Sequence, residues 1–215
     1  MQPVVAPVQS GSRAAVGFSV HSGWAACVGL TLTKNQPQVL MRARPELVKT
    51  FTYKFRQPFH TAEKMPLDQA RVFISGVEDE AKRLARAAIQ SMQLELRKKG
   101  LELAHYALIL SSAKPLPSLD RILSSHALIH SADGELFRDA LAHAAEGCNL
   151  TRFTVKQREL VDTGCKTLRL TPTTLATQLA ALGKPIGSPW AQDEKSASLA
   201  AWLALIKAHS KTERG

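Results

Sequence analysis

Apolar and polar positions alternate through "AAVGFSV" at 14–20 and "WAACVGLTLT" at 24–33, and "HSG" at 21–23 supplies a turn, so the chain opens on a predicted β-hairpin. A second turn at "KNQP", 34–37, leads into the extended run "QVLMRARPELV", which makes the opening a three-strand antiparallel meander. "FTYKFRQPF" at 51–59 alternates aromatic with basic or polar residues and reads as an exposed edge strand or an extended loop. From Leu67 to about Lys99 the period changes. Ile74, Val77, Ala81, Leu84, Ala85, Ala88 and Met92 recur at three- and four-residue spacing, which predicts a long helix ending at "RKKG".

The nearly continuous apolar run "HYALILSS" at 105–112 has the character of a strand buried on both faces. After a proline-set loop, Asp133 is placed to cap a helix with Leu136, Phe137, Ala140, Leu141 and Ala144 inward, closed by Gly147. "LTRFTVKQREL" at 150–160 predicts a further strand, and "TPTTLATQLAALG" a short helix from Thr171 to Gly183. "AQDEKSASLAAWLALIKAH" predicts a last helix with Leu199, Trp202, Leu203 and Ile206 inward.

A chain of 215 residues, 45% hydrophobic and 21% charged, suits a globular protein with one buried core. The expected layout is a flexible tail at 1–12, a single domain at 13–207 and a flexible tail at 208–215. "ALIL" and "LAAWLALI" fall far short of the roughly 20 apolar residues that span a bilayer, so no membrane association is expected. Three cysteines without a CxxC pair indicate neither a disulfide framework nor a zinc knuckle and point to the reducing cytoplasm. The formal net charge of +10 directs attention to a polyanionic partner, because cations that neutralise phosphates release counterions.

The order of elements, the opening "GFSVHSGWAACV" and the closing "DEKSASLAAWLAL" together resemble the ribonuclease H-like fold, and within it the RuvC-type Holliday-junction resolvases. Gly17, Gly23 and Trp24 align with the family's "GIDPG…GWGVV" segment, and Asp193 and Ser196 with the two acidic positions of its "DxxDALAxAL" helix. The resemblance implies an α/β fold, a mixed sheet of a three-strand antiparallel meander plus parallel strands flanked by helices. It also implies a site where four carboxylates hold two magnesium ions around a phosphodiester. Most of those acids are missing. Ser19 stands at the first-strand aspartate, Ser111 and Ser112 follow the fourth strand, and the last helix keeps Asp193 with its neighbour Glu194. The resemblance therefore supports the fold and argues against the family's chemistry, with Ser19, Asp193, Glu194 and Ser196 as the positions of the altered site.

Other acids are Glu78, Asp79 and Glu80 on the long helix, Asp120, and Glu135 with Asp139 on the next helix; "EDE" among many cations reads as a solvated face with pairs such as Glu78–Lys82. Glu135, Asp139 and His143 at four-residue steps, with His130 near them, have metal-ligand spacing but also the spacing of a polar helix edge. Ser19, Ser22 and His21 have no evident orienting acid for nucleophilic chemistry. "GKPIGSPW" lacks the features of a phosphate loop.

Three functions follow. The first is a non-catalytic or degenerate ribonuclease H/RuvC-like protein that binds DNA or RNA through Lys49, Lys54, Arg56, Lys82, Arg83 and Arg86, the first three interleaved with Phe51, Tyr53 and Phe55. The second is a protein-interaction module that does not bind nucleic acid. The third is a nuclease with non-standard acids, which alone would need Mg²⁺ as cofactor.

Overall fold

A computed structural model describes residues 13–111 and 115–212. Among these residues five strands form one mixed sheet: β1 (Arg13–His21), β2 (Trp24–Thr33), β3 (Gln36–Ala43), β4 (Glu102–Leu110) and β5 (Thr151–Lys156), in the order β3-β2-β1-β4-β5. The first three strands pair antiparallel, whereas β4 and β5 add in parallel beside β1. β1 is therefore central, and Ser19 lies two residues before its C-terminal end. Lys34 and Asn35 both take positive φ between Thr33 and its partner Gln36, the geometry that matches a two-residue turn to the twist of its strands.

Among the described residues eight α-helices connect and cover the sheet: α1 (Tyr53–Arg56), α2 (Pro58–Ala62), α3 (Leu67–Lys98), α4 (Leu119–Leu123), α5 (His126–Gly147), α6 (Leu160–Leu168), α7 (Pro172–Leu182) and α8 (Gln192–Thr212). Strand alternation divides β1 between two cores. Val16 and Phe18 pack with α3 and α5, whereas Ala15 packs with α6, α7 and α8 on the other face. α3 buries Ala70, Ile74, Val77, Ala81, Ala85, Ile89, Met92 and Leu96, a single stripe at helical spacing. At α7 the Thr171 hydroxyl accepts from Thr174 N–H at 3.2 Å, with Pro172 in the first turn, as that sequence predicts.

Three expectations are corrected. Residues 53–62 form two short helices and no strand: Pro58 starts α2, and Phe59 and Ala62 are drawn into the core beside α3 and α5. Asp133 is no cap, since α5 begins seven residues earlier at His126. It is buried within the helix, its Oδ1 accepting from the backbone N–H of Phe59 at 2.8 Å and its Oδ2 from His60 Nδ1. A long-range partner for α2's unpaired N-terminal amide thus decides its place. Finally, α8 continues to Thr212, so 208–212, read as tail, are helical; "AHSKT" holds no glycine or proline to stop the helix. The proposed tail at 1–12 and residues 213–215 lie outside the described residues. Among the described residues no helix is long and apolar enough to cross a membrane.

Candidate functional site

Gly17, Ser19 and His21 share one face of β1, the face that α8 crosses. A β-carbon at Gly17 would lie 1.9 Å from the Ala197 carbonyl oxygen, so the helix backbone rests directly on the strand. Ala197, Ala200, Ala201 and Ala204 are all buried, and these small side chains allow that approach. One turn before Ala197, Asp193 lies over the end of β1. Ser19 Oγ donates to Asp193 Oδ1 at 3.0 Å, and His21 Nε2 lies 2.9 Å from the same oxygen, close enough for an ion pair but not aligned for a hydrogen bond. A carboxylate in the first turn of a helix is also favoured by the helix dipole.

Asp193 supplies the acid that sequence reasoning found lacking beside Ser19 and His21, but the connectivity is not that of a nucleophile and base. The serine proton is directed to the carboxylate, and no Ser19–His21 hydrogen bond forms. The other two positions on α8 face their own helix. Glu194 Oε2 accepts from Ala191 N–H at 2.9 Å, closing the helix N-terminus, and Ser196 Oγ accepts from Gln192 Nε2 at 3.3 Å. Ser19 and His21 add no anionic oxygen beside Asp193, so the residues here do not fit a two-metal centre, which needs several converging anionic oxygens.

Beyond β4, Ser111 Oγ donates to Glu135 Oε1 at 2.6 Å; Ser112 lies outside the described residues. Glu135 is also paired with Arg138 at 3.2 Å. Asp139, one turn on, has its carboxyl pushed up, first by desolvation and then by the like charges of Glu135 and Glu78. A carboxylate with a raised folded-state pKa weakens the fold progressively as pH rises through its unfolded value, and fully once pH exceeds the folded one. Asp139→Asn is therefore expected to raise the melting temperature at pH 7, and the gain to vanish below the ordinary aspartate pKa of about 3.9 in a pH series of thermal melts. The sequence grouping of Glu135, Asp139, His143 and His130 does not assemble. His130 turns to His126 and His60, and that trio is the one set of three donors among the described residues whose ligand atoms all lie within 4.8 Å of one another.

The cations fall into two groups. On α3, Lys82 pairs with Glu78 at 2.6 Å, Arg83 with both Glu80 oxygens at 2.8 Å, and Arg86 reaches the Gly147 carbonyl at 3.4 Å. The Arg83 hydrogen bonds hold Glu80 below its ordinary pKa. Around the β1–β2 turn the cations instead lie on aromatic rings. His21 stacks on Trp24 at 4.2 Å, Arg44 covers Trp24 at 3.9 Å and approaches Phe51 at 5.9 Å, and Arg56 covers Phe51 at 4.4 Å while its Nε donates to the Ser22 carbonyl. Lys54 Nζ lies 5.5 Å from the Phe73 ring. None of Arg44, Lys54 and Arg56 is paired with a carboxylate among the described residues. Arg44 escaped sequence reasoning because nothing in "RARPEL" marks its approach to Trp24. Lys49 stands apart, with Arg83, on the rim of a groove of about 610 Å³ lined by Val48, Phe55, Phe73 and Val77.

The fold is similar to that of RuvC of Thermus thermophilus. The structure of that protein in complex with a Holliday junction substrate aligns with a TM-score of 0.55 at 8% identity, covering 93% of this chain and 97% of that one. A second structure of Thermus thermophilus RuvC gives a TM-score of 0.53 at 8% identity over the same shares of the two chains. The sequence matches no protein-family model and no curated protein. The fold is thus α/β and ribonuclease H-like, a mixed five-strand sheet flanked by helices.

Proposed function

We propose that this chain binds nucleic acid through the cation-on-ring surface at the β1–β2 turn and does not cleave it by the two-metal route. The observation that carries the reading is the end of β1. Asp193 stands there with a serine and a histidine on one of its oxygens, and the nearest acid on its own helix, Glu194, is engaged with the helix N-terminus. Arg44 and Arg56 supply what phosphates require, fixed guanidinium groups without a competing carboxylate. The rings orient these cations, which replaces base stacking as their role because Trp24 is already covered by His21 and Arg44. The net charge of +10 acts in the same direction.

The RuvC neighbour is bound to a Holliday junction, so four-way, duplex and single-stranded DNA are the substrates to compare. Binding is expected with a steep linear fall of log affinity against log salt. No cleavage is expected in magnesium or manganese, on branched DNA or on RNA–DNA hybrid. Cleavage that Asp193→Ala and a chelator both abolish would replace this reading with that of a nuclease using magnesium and non-standard acids.

One observation favours a protein-interaction module as the second reading. The 610 Å³ groove between the segment before α1 and α3 is apolar, and Val72 on its edge is 75% exposed. Salt-insensitive or absent DNA binding would favour it.

A further inference from the structure

We propose that His60, His126 and His130 form a site for one divalent transition-metal ion, zinc first, separate from the acid positions and independent of nucleic-acid binding. His126 and His130 are four residues apart on the first turns of α5, so both rings leave one face of the helix. Their Nε2 atoms lie 3.1 Å apart. Two nitrogens bound tetrahedrally to zinc at about 2.0–2.1 Å would be about 3.3 Å apart, so the pair already has nearly the bite that the ion needs. His60 enters from α2. Its ring centroid lies 5.3 Å from that of His126 and 4.4 Å from that of His130, and the latter two are 4.5 Å apart, with all three rings edge-on to one another at 69–89°.

The partner of His60 makes this more than ring packing. Asp133, buried in α5, meets His60 Nδ1 with Oδ2 and holds Phe59 N–H with Oδ1. A carboxylate can only accept, so Nδ1 carries the imidazole proton and Nε2 is left as a lone-pair donor. A carboxylate that fixes the tautomer and orientation of a ligating histidine is the usual outer partner in zinc sites. Three imidazoles without a carboxylate ligand suit zinc, copper or nickel and do not suit magnesium or calcium. His126 and His130 are exposed, so the fourth coordination position faces solvent. Metal-free, the 3.1 Å approach of the two rings requires one to donate its N–H to the other.

The test uses the untagged full-length chain, stripped with chelator and titrated with zinc against a chromophoric competitor, with Co²⁺ substituted to read coordination. One equivalent per chain and the visible bands of nitrogen-ligated, near-tetrahedral Co²⁺ are expected. His126→Ala and His130→Ala change exposed side chains and should fold, as thermal melts will show. Each is expected to lose more affinity than Asp133→Asn, whose loss of an outer partner is expected to cost about 10–100-fold. His143→Ala, on the same helix but outside the trio, should bind as the parent does. No stoichiometric binding, binding unchanged in His126→Ala or His130→Ala, or an equal loss in His143→Ala would each overturn the site. If Asp133→Asn does not fold, the two exposed variants decide.

Discussion

Gly17→Ala is expected to destabilise the protein by about 3 kcal/mol or more, the upper end for overpacking, and to lower its melting temperature by about 6–12 °C. The added methyl carbon would lie 1.9 Å from the Ala197 carbonyl oxygen, 2.8 Å from its carbon and 3.0 Å from the Ala201 amide nitrogen. All three are backbone atoms, so no side-chain rotation relieves the clash, and either α8 lifts or β1 bends. Gly29→Ala is the internal control. Its new carbon would meet Met41 Cγ at 2.8 Å, a flexible side chain that can move aside, and the loss should be much smaller. Equal stabilities of the two variants in urea denaturation would show that α8 does not rest on β1. The consequence reaches the site, because the helix that Gly17 admits is the one that carries Asp193 over Ser19 and His21.

That juxtaposition was expected from the resemblance to the RuvC-type resolvases, which sets Ser19 and Asp193 at one site although 174 residues separate them; local patterns supply only the two faces that meet. The alternation of 14–20 sets the face on which Ser19 points, and the alanine-rich periodicity after Asp193 sets the face that α8 buries. The same locality made α3 and the cap of α7 readable. The residues that sequence reasoning misplaced depend on distant partners. "FTYKFRQPF" alternates like a strand, yet no strand edge takes it up, and Phe59 is buried beside α3 and α5 instead. Asp133 looks like a helix start because acids favour N-termini, but its partners are Phe59 N–H and His60 on a helix far back in the chain. His60 meets His126 and His130 because Asp133 and the burial of Phe59 and Ala62 hold α2 against α5, and no spacing rule within either segment announces that. Glu194 fails in the opposite sense: it is beside Asp193 in sequence but turns back to its own helix end.

Replacing Arg44 and Arg56 together by alanine is expected to reduce the slope of log affinity against log salt by about 2 on duplex DNA, near 0.9 for each phosphate that is no longer neutralised. Replacing Lys82 and Arg83 together should change that slope little, although the formal charge removed is the same. The difference follows from what each cation already holds. Lys82 and Arg83 are paired with Glu78 and Glu80 at 2.6–2.8 Å, so reaching a phosphate would mean abandoning a carboxylate. Arg44 and Arg56 lie on Trp24 and Phe51 with no carboxylate to give up, and the rings have already restricted their side chains. Net charge alone would make the two double variants equal. Fluorescence anisotropy titrations at four or more salt concentrations, with melting temperatures to show that both variants fold, separate the cases. Equal slopes would assign binding to the general positive charge of the surface, and a larger loss from the α3 pair would move the interface from the β1–β2 turn to the long helix.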